Sequence, residues 1–225
     1  MNKHRCAYCG IEVSKKDKDH VFPKCLYPKA KSSSKIQRIT VPACRECNDG
    51  FSDDEAHFRN VMAISGEPNE AVQELWESKI VPSFHKEDGD RRRTDLQKIT
   101  RSVQTQEGER LMVFPGEDER VLRVVRKIIR GLCDYHGLVS PVSDRRVWAA
   151  DLRYITHDIG LNLKAVENLL KRFQNDMEYQ HREKDIVEYW YEITNDPPIH
   201  SAWLIKFFES RTFMGIVSTS EDGFM

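Results

Sequence analysis

The segments 6-CAYCG-10 and 44-CRECN-48 decide the fold of the N-terminal part of this 225-residue chain, because each contains a CxxC motif. Two such cysteine pairs are typical of a tetrahedral structural zinc site. Four unrelated buried cysteines are the alternative, which the pairing disfavours in a chain of only 6 cysteines. A zinc ion would also stabilise an N-terminal segment that is short for a core of its own. We therefore predict one structural Zn²⁺ held by four ligands, Cys6, Cys9, Cys44 and Cys47.

The N-terminal part is basic, although the whole chain has a formal net charge of only -1. Residues 1–49 contain 11 Lys and Arg against 5 Asp and Glu. Residues 24–38 contain no acidic side chain, and their basic ones are Lys24, Lys29, Lys31, Lys35 and Arg38. A solvated surface loop is the ordinary interpretation of such a segment. The lack of acids favours contact with the phosphates of a nucleic acid.

Hydropathy gives no sign of a membrane or secreted protein. The chain begins MNKHRCAYCG, which lacks the apolar region of a signal peptide. No apolar run approaches the roughly 18 residues of a membrane-spanning helix. We therefore expect a cytoplasmic protein without membrane contact, in a reducing compartment where paired CxxC motifs favour metal over disulfides.

The pattern of apolar residues predicts an α+β fold in three parts, which are residues 1–65, 66–117 and 118–225. The first part is a zinc-bound domain, the second a connector, and the third an α+β accessory domain.

The first two parts are expected to contain short elements. Short extended segments are predicted at residues 19–22 and 38–41. A helix is predicted from Ser52, where Glu55 three residues later would complete a capping box. In the connector we expect a short helix, then an irregular segment, then a strand, at residues 69–77, 87–110 and 111–114 respectively.

The third part begins with the strongest helical pattern, between Asp118 and Tyr135, where apolar residues recur at helical spacing. Two further helices are expected, at residues 144–154 and 162–173. Aromatic and β-branched residues then predict three antiparallel strands. They are placed at residues 186–194, 200–208 and 212–218, with a tight turn at Ser210-Arg211.

Four polar residues lie between and after the cysteine pairs and have the chemistry of a nuclease site: Asp19, His20, Asn48 and His57. Phosphodiester hydrolysis needs a water nucleophile, a base, and a cation on the scissile phosphate. His20 suits the base because its ordinary pKa is near neutrality. Asp19 is a hard ligand that suits a divalent cation. If the zinc site brought the helix of His57 beside Asp19, the two could share that cation.

This constellation resembles the HNH endonuclease family, which has a ββα-metal fold. The family pattern is a His often preceded by Asp, then an Asn, then a His about nine positions later. Here the matching segments are DHVFPK with Asp19-His20, CRECN with Asn48, and FSDDEAHF with His57. Many bacterial members also carry two CxxC zinc knuckles. The resemblance covers residues 4–65 of the chain.

The resemblance implies a role for each matched residue. His20 would be the general base, and Asn48 would fix the loop that orients it. Asp19 and His57 would ligate one catalytic divalent cation, Mg²⁺ or another. The implied activity is metal-dependent hydrolysis of DNA.

Two alternatives stay open at this point. A non-catalytic zinc-ribbon module that binds nucleic acid would need the cysteines but neither His20 nor His57. Residues 118–225 could also serve as a regulator, as a homodimer contact, or as a surface for a protein partner.

Overall fold

The structure is a computed structural model that describes residues 4–13, 18–29, 38–65, 67–104, 108, 110–153, 171, 178–181, 185–194 and 197–223. Its described residues form a mixed α and β fold, which confirms the expected fold class in its coarse form.

Two small antiparallel hairpins shape the N-terminal region. The first pairs β1 (His4–Arg5) with β2 (Glu12–Val13). The second pairs β3 (Lys18–His20) with β4 (Thr40–Pro42) and sets Asp19 opposite Val41. Both strands of the second hairpin lie within or beside the extended segments that the sequence predicts.

Two helices follow the second hairpin, α1 (Arg45–Asp49) and α2 (Ser52–Ile64). The expected capping box is not formed. Phe51 is the N-cap of α2 and no side chain caps it, so Ser52 is already the first helical residue. The acidic side chains of the first turn still suit the positive end of the helix dipole.

The middle of the chain is more regular than its composition suggests. Three helical segments, α3 (Glu70–Leu75), a π-helical turn (Trp76–Ile80) and α4 (Val81–Phe84), extend the helix expected at 69–77. Helix α5 (Gly89–Ile99) then occupies nearly half of the segment predicted to be irregular. That prediction was wrong: a segment rich in charge and glycine and poor in apolar period still forms a helix here. Leu96, the one buried hydrophobic side chain of α5, anchors the helix to the core.

Local ion pairs support α5 along its exposed side. Arg92 donates to Asp88 at 2.6 Å, and Arg93 pairs with Asp90. Such i,i+3 and i,i+4 pairs stabilise a helix without apolar periodicity. A hairpin of β5 (Arg101–Gln104) and β6 (Arg110–Val113) ends the region, and β6 matches the predicted strand closely.

The long helix α6 (Glu119–Tyr135) confirms the strongest helical prediction. Asp118 is its N-cap and accepts hydrogen bonds from the backbone amides of Arg120 and Val121. Gly137 follows the helix with a φ of +65°, a conformation that glycine adopts without strain. Helix α6 packs against α2 and β4 on one side and against the C-terminal sheet on the other.

The C-terminal part is a five-stranded antiparallel sheet with the order β7-β11-β10-β9-β8. Three of its strands confirm predictions: β9 (Val187–Ile193), β10 (Ile199–Phe207) and β11 (Arg211–Ser218). The tight turn lies two residues earlier than predicted, at Phe208 and Glu209, whose φ angles are positive.

Two edge strands were not predicted, β7 (Val147–Asp151) and β8 (Glu178–His181). The helix expected at 144–154 is wrong: a short 3-10 turn (Asp144–Arg146) leads into β7 instead. Local preference for helix yields here to pairing with β11, which runs from Val147 opposite Val217 to Asp151 opposite Phe213. The helix expected at 162–173 falls, apart from Lys171, outside the described residues.

Buried residues from all three predicted parts belong to one hydrophobic cluster. Phe58 of α2 packs edge-on against Phe207 of the sheet, with ring centroids 5.1 Å apart. Gly131 of α6 faces the β3 region so closely that a Cβ there would lie 2.9 Å from Val21. This close approach brings α6 directly against the predicted site.

Candidate functional site

The four cysteines of the two CxxC motifs converge. One Sγ atom from each of Cys6, Cys9, Cys44 and Cys47 lies within 4.8 Å of all the others. All four are free thiols, so no disulfide competes for them. Four sulfur donors clustered in this way fit a tetrahedral zinc ion.

Backbone amides support negative charge in the cysteine cluster. The amide of Cys47 donates to the Cys44 sulfur at 3.4 Å. Burial alone would raise the pKa of Cys6, but backbone hydrogen bonds at Cys44, Cys9 and Tyr8 lower it to about 7. Burial raises the pKa of Cys47, whose neighbours are other thiols. Since zinc binds thiolates, a bound ion would remove these protons and hold the two knuckles together.

Asp19 is buried beside the cysteine cluster, with 6% of its surface exposed. The Tyr8 hydroxyl donates to Asp19 Oδ2 at 2.6 Å. The same oxygen lies 2.7 Å from Nζ of Lys127, a residue of α6. Lys127 Nζ also lies 2.5 Å from Glu55 Oε1. Asp19 therefore belongs to a cluster of one ammonium and two carboxylates, in which Lys127 and Asp19 are buried and Glu55 is partly exposed.

His57 has a different partner. Its Nε2 lies 2.7 Å from Asp118 Oδ2, and both side chains are less than one tenth exposed. Burial acts to raise the pKa of Asp118, but hydrogen bonds from His57 and from two backbone amides outweigh it and lower that pKa. Asp118 thus caps α6 and orients His57 at the same time.

The two residues that the resemblance implies as ligands of a catalytic cation are thus each bound to another side chain. Across the described ranges, the four cysteines are the one group of three or more His, Cys, Asp or Glu ligand atoms close enough to hold a metal. A divalent cation shared by Asp19 and His57 would have to compete with Lys127 and Asp118, and it stays a prediction.

His20 lies at the end of β3, opposite Thr40. Its Nδ1 is buried and has no hydrogen-bond partner among the residues that the structure describes. Burial lowers the pKa of His20, and the nearby cations Lys24 and Arg38 lower it further. A charged imidazole would need an acceptor at both ring nitrogens. The lack of a partner at Nδ1 and the neighbouring cations both disfavour the protonated imidazole, and the neutral imidazole is the form that can accept a proton.

Asn48 lies in α1, directly after Cys47, the second cysteine of the second CxxC motif. Its backbone amide donates to the Cys44 carbonyl at 2.9 Å and so belongs to the second knuckle. The role that the resemblance implies for its side chain stays a prediction.

Three of the five predicted phosphate-binding residues lie in the described ranges. Lys24 and Lys29 are exposed. Arg38 stacks over the Tyr27 ring, with its Cζ 3.9 Å from the ring centroid. Lys31 and Lys35 fall outside the described residues. A further cation that the sequence did not suggest, Lys79, donates to the Lys24 carbonyl at 3.1 Å.

Sequence patterns missed Lys127 and Asp118 as parts of the site. Asp118 is readily predicted as a helix cap, and that role gives no indication of its contact with His57. Lys127 stands between Val124 and Ile128 on the apolar side of a strongly periodic helix. A single lysine on the apolar side of a helix indicates a buried ion pair, since lysine is almost never fully buried unless paired.

Neither a protein-family model, nor a curated protein, nor a solved structure matches this chain. None of the helices in the described ranges is long and apolar enough to cross a membrane.

Proposed function

We propose that the protein hydrolyses phosphodiester bonds of DNA, with His20 as the general base. The observation that carries this proposal is the His20 imidazole at the end of β3, with a buried Nδ1 that has no partner among the described residues and with Lys24 and Arg38 nearby. A neutral imidazole takes a proton from water at neutral pH.

The chemistry follows from the groups around His20. The imidazole removes a proton from a water molecule, and the resulting hydroxide attacks the phosphorus. The bond to the leaving oxygen of the sugar then breaks, and that oxygen takes up a proton from solvent. Lys24 and Arg38 attract the phosphate and favour the charge that develops on it. The zinc ion that the four cysteines fit would act structurally, by keeping the β3–β4 hairpin in place.

The resemblance also implies a catalytic Mg²⁺ or other divalent cation at Asp19 and His57. These side chains are bound to Lys127 and Asp118 respectively, so no step of the proposed reaction is routed through that cation. Whether cleavage depends on added Mg²⁺ or Mn²⁺ is a separate readout of the same assay.

A plasmid-nicking assay with zinc-loaded protein tests the proposal. We expect the wild type to nick DNA and His20→Ala to lose about a hundredfold or more in rate, as is usual for a positioned base. DNA binding by His20→Ala should persist, because the base acts in the transition state.

His200 provides a matched control. Like His20, it has a buried Nδ1 without a partner among the described residues, and burial lowers its pKa. It lies in β10 of the C-terminal sheet. His200→Ala should therefore nick DNA at the wild-type rate. Equal rates for His20→Ala and the wild type would show that the base is assigned incorrectly.

The second candidate is a non-catalytic zinc module that binds nucleic acid. It is favoured by the ion pairs that engage Asp19 and His57, since a binding module does not need these residues for a metal. If the wild type binds DNA but cuts neither DNA nor RNA with any common divalent cation, this candidate replaces the first.

A further inference from the structure

We infer that the Lys127 ammonium is the built-in cation of the Asp19–Glu55 carboxylate pair, and that this pair takes no divalent metal ion in the folded protein. The inference does not depend on the proposed hydrolysis, because it concerns only how charge is balanced at Asp19.

The geometry around the ammonium supports a bound cation. Lys127 Nζ lies 2.7 Å from Asp19 and 2.5 Å from Glu55, and its side chain is 0% exposed. The aromatic faces of Tyr8 and Phe51 lie 5.8 Å and 5.4 Å from Nζ. Such ring faces attract a cation. Carboxylates on two sides and rings beside them make a complete site for one ammonium.

A divalent cation and this ammonium exclude one another. Mg²⁺ needs about six oxygen ligands at about 2.0–2.1 Å and usually keeps several waters. The Lys127 side chain is 0% exposed, and its ammonium already occupies the position between Asp19 and Glu55 that a metal ion would take. A metal could bind only after Nζ had left, and that would leave a buried ammonium without a partner, which is strongly unfavourable.

The ammonium also ties two distant parts of the chain together. Lys127 and Glu55 are 72 residues apart in sequence. One turn beyond Lys127, Gly131 allows α6 to approach Val21 and Tyr8 closely. Asp19 is thus a positioning residue: through it, α6 holds β3 and the adjacent His20 in place.

Binding of Mn²⁺ to the zinc-loaded full chain, followed by the electron paramagnetic resonance of free Mn²⁺, tests the inference. The wild type and Asp19→Asn should bind Mn²⁺ equally, with no stoichiometric site in either. Lys127→Met should gain one site at least about tenfold tighter than any in the wild type, because it leaves two carboxylates facing one another. The matched control Asp19→Asn with Lys127→Met should not gain it.

Two results would overturn the inference. One is a stoichiometric Mn²⁺ site in the wild type that Asp19→Asn removes. The other is a Lys127→Met protein with native circular dichroism that gains no site. If Lys127→Met does not fold, the comparison of the wild type with Asp19→Asn decides alone. No cleavage is measured here, so a failure of this inference and a failure of the proposed hydrolysis are seen in different assays.

Discussion

Replacing Lys127 by methionine should be among the most destabilising single changes in the chain. The side chain is fully buried and its ammonium contacts both Asp19 and Glu55. Methionine has no group in place of Nζ, so it leaves the buried Asp19 and the partly buried Glu55 without a cation. Removing one partner of a buried ion pair typically costs about 3–5 kcal/mol. That is a large share of the roughly 5–15 kcal/mol by which a domain is stable.

Urea unfolding of zinc-saturated protein, followed by circular dichroism, measures this loss. The control is Arg45→Met, which removes an i,i+4 pair with Asp49 whose side chains are 89% and 62% exposed. An exposed pair is worth at most about 1 kcal/mol. Adding Asp19→Asn to Lys127→Met should recover part of the stability, because it removes one of the two carboxylates that lack a cation. A Lys127→Met protein no less stable than Arg45→Met would refute the reasoning.

Three further predictions concern other parts of the chain. Metal analysis should find about one tightly bound zinc per chain, and Cys9→Ser should release it, whereas a folded, zinc-free wild type would contradict the cysteine site. Neutralising Lys24 and Lys29 to glutamine should weaken DNA binding on all sequences alike and flatten its salt dependence, which a titration at several salt concentrations measures. Asp118→Asn should destabilise the protein at pH 7. Because the folded pKa of Asp118 is lowered, its stabilising effect is present above its unfolded value of about 3.9 and is lost as pH falls through the folded pKa. The difference in the free energy of unfolding between wild type and Asp118→Asn, measured by urea unfolding, should therefore become smaller in acid. A difference that does not change with pH would contradict the role of the His57 contact.

Spacing along the chain was sufficient to predict the features that depend on near neighbours. The CxxC pairs predicted a four-cysteine cluster, because two residues in a tight turn already aim a pair of thiols the same way. The apolar period between Asp118 and Tyr135 predicted α6, and alternation predicted the strands β9, β10 and β11. In each case the local pattern and the final environment agree, as expected when one face of an element is buried.

Charged helices and short strands were harder to predict from the sequence. Helix α5 has one buried anchor, Leu96, and little apolar period. Strand β7 contains Ala149 and Ala150, which favour a helix locally, yet it pairs with β11. Pairing between strands far apart in sequence decides such segments, since the ladder satisfies backbone groups that local preference leaves open.

The charge partners of the predicted site were decided by tertiary structure alone. From sequence, Asp19 and His57 are equally suited to a metal or to an ion pair. The fold pairs His57 with Asp118, the N-cap of α6, which is 61 residues away in sequence. It pairs Asp19 with Lys127, a residue of α6. A buried carboxylate must be paired with whatever cation the packing brings to it. Sequence determined which groups could carry charge, and the close packing of α6 against β3 and the cysteine cluster determined which of them neutralise one another.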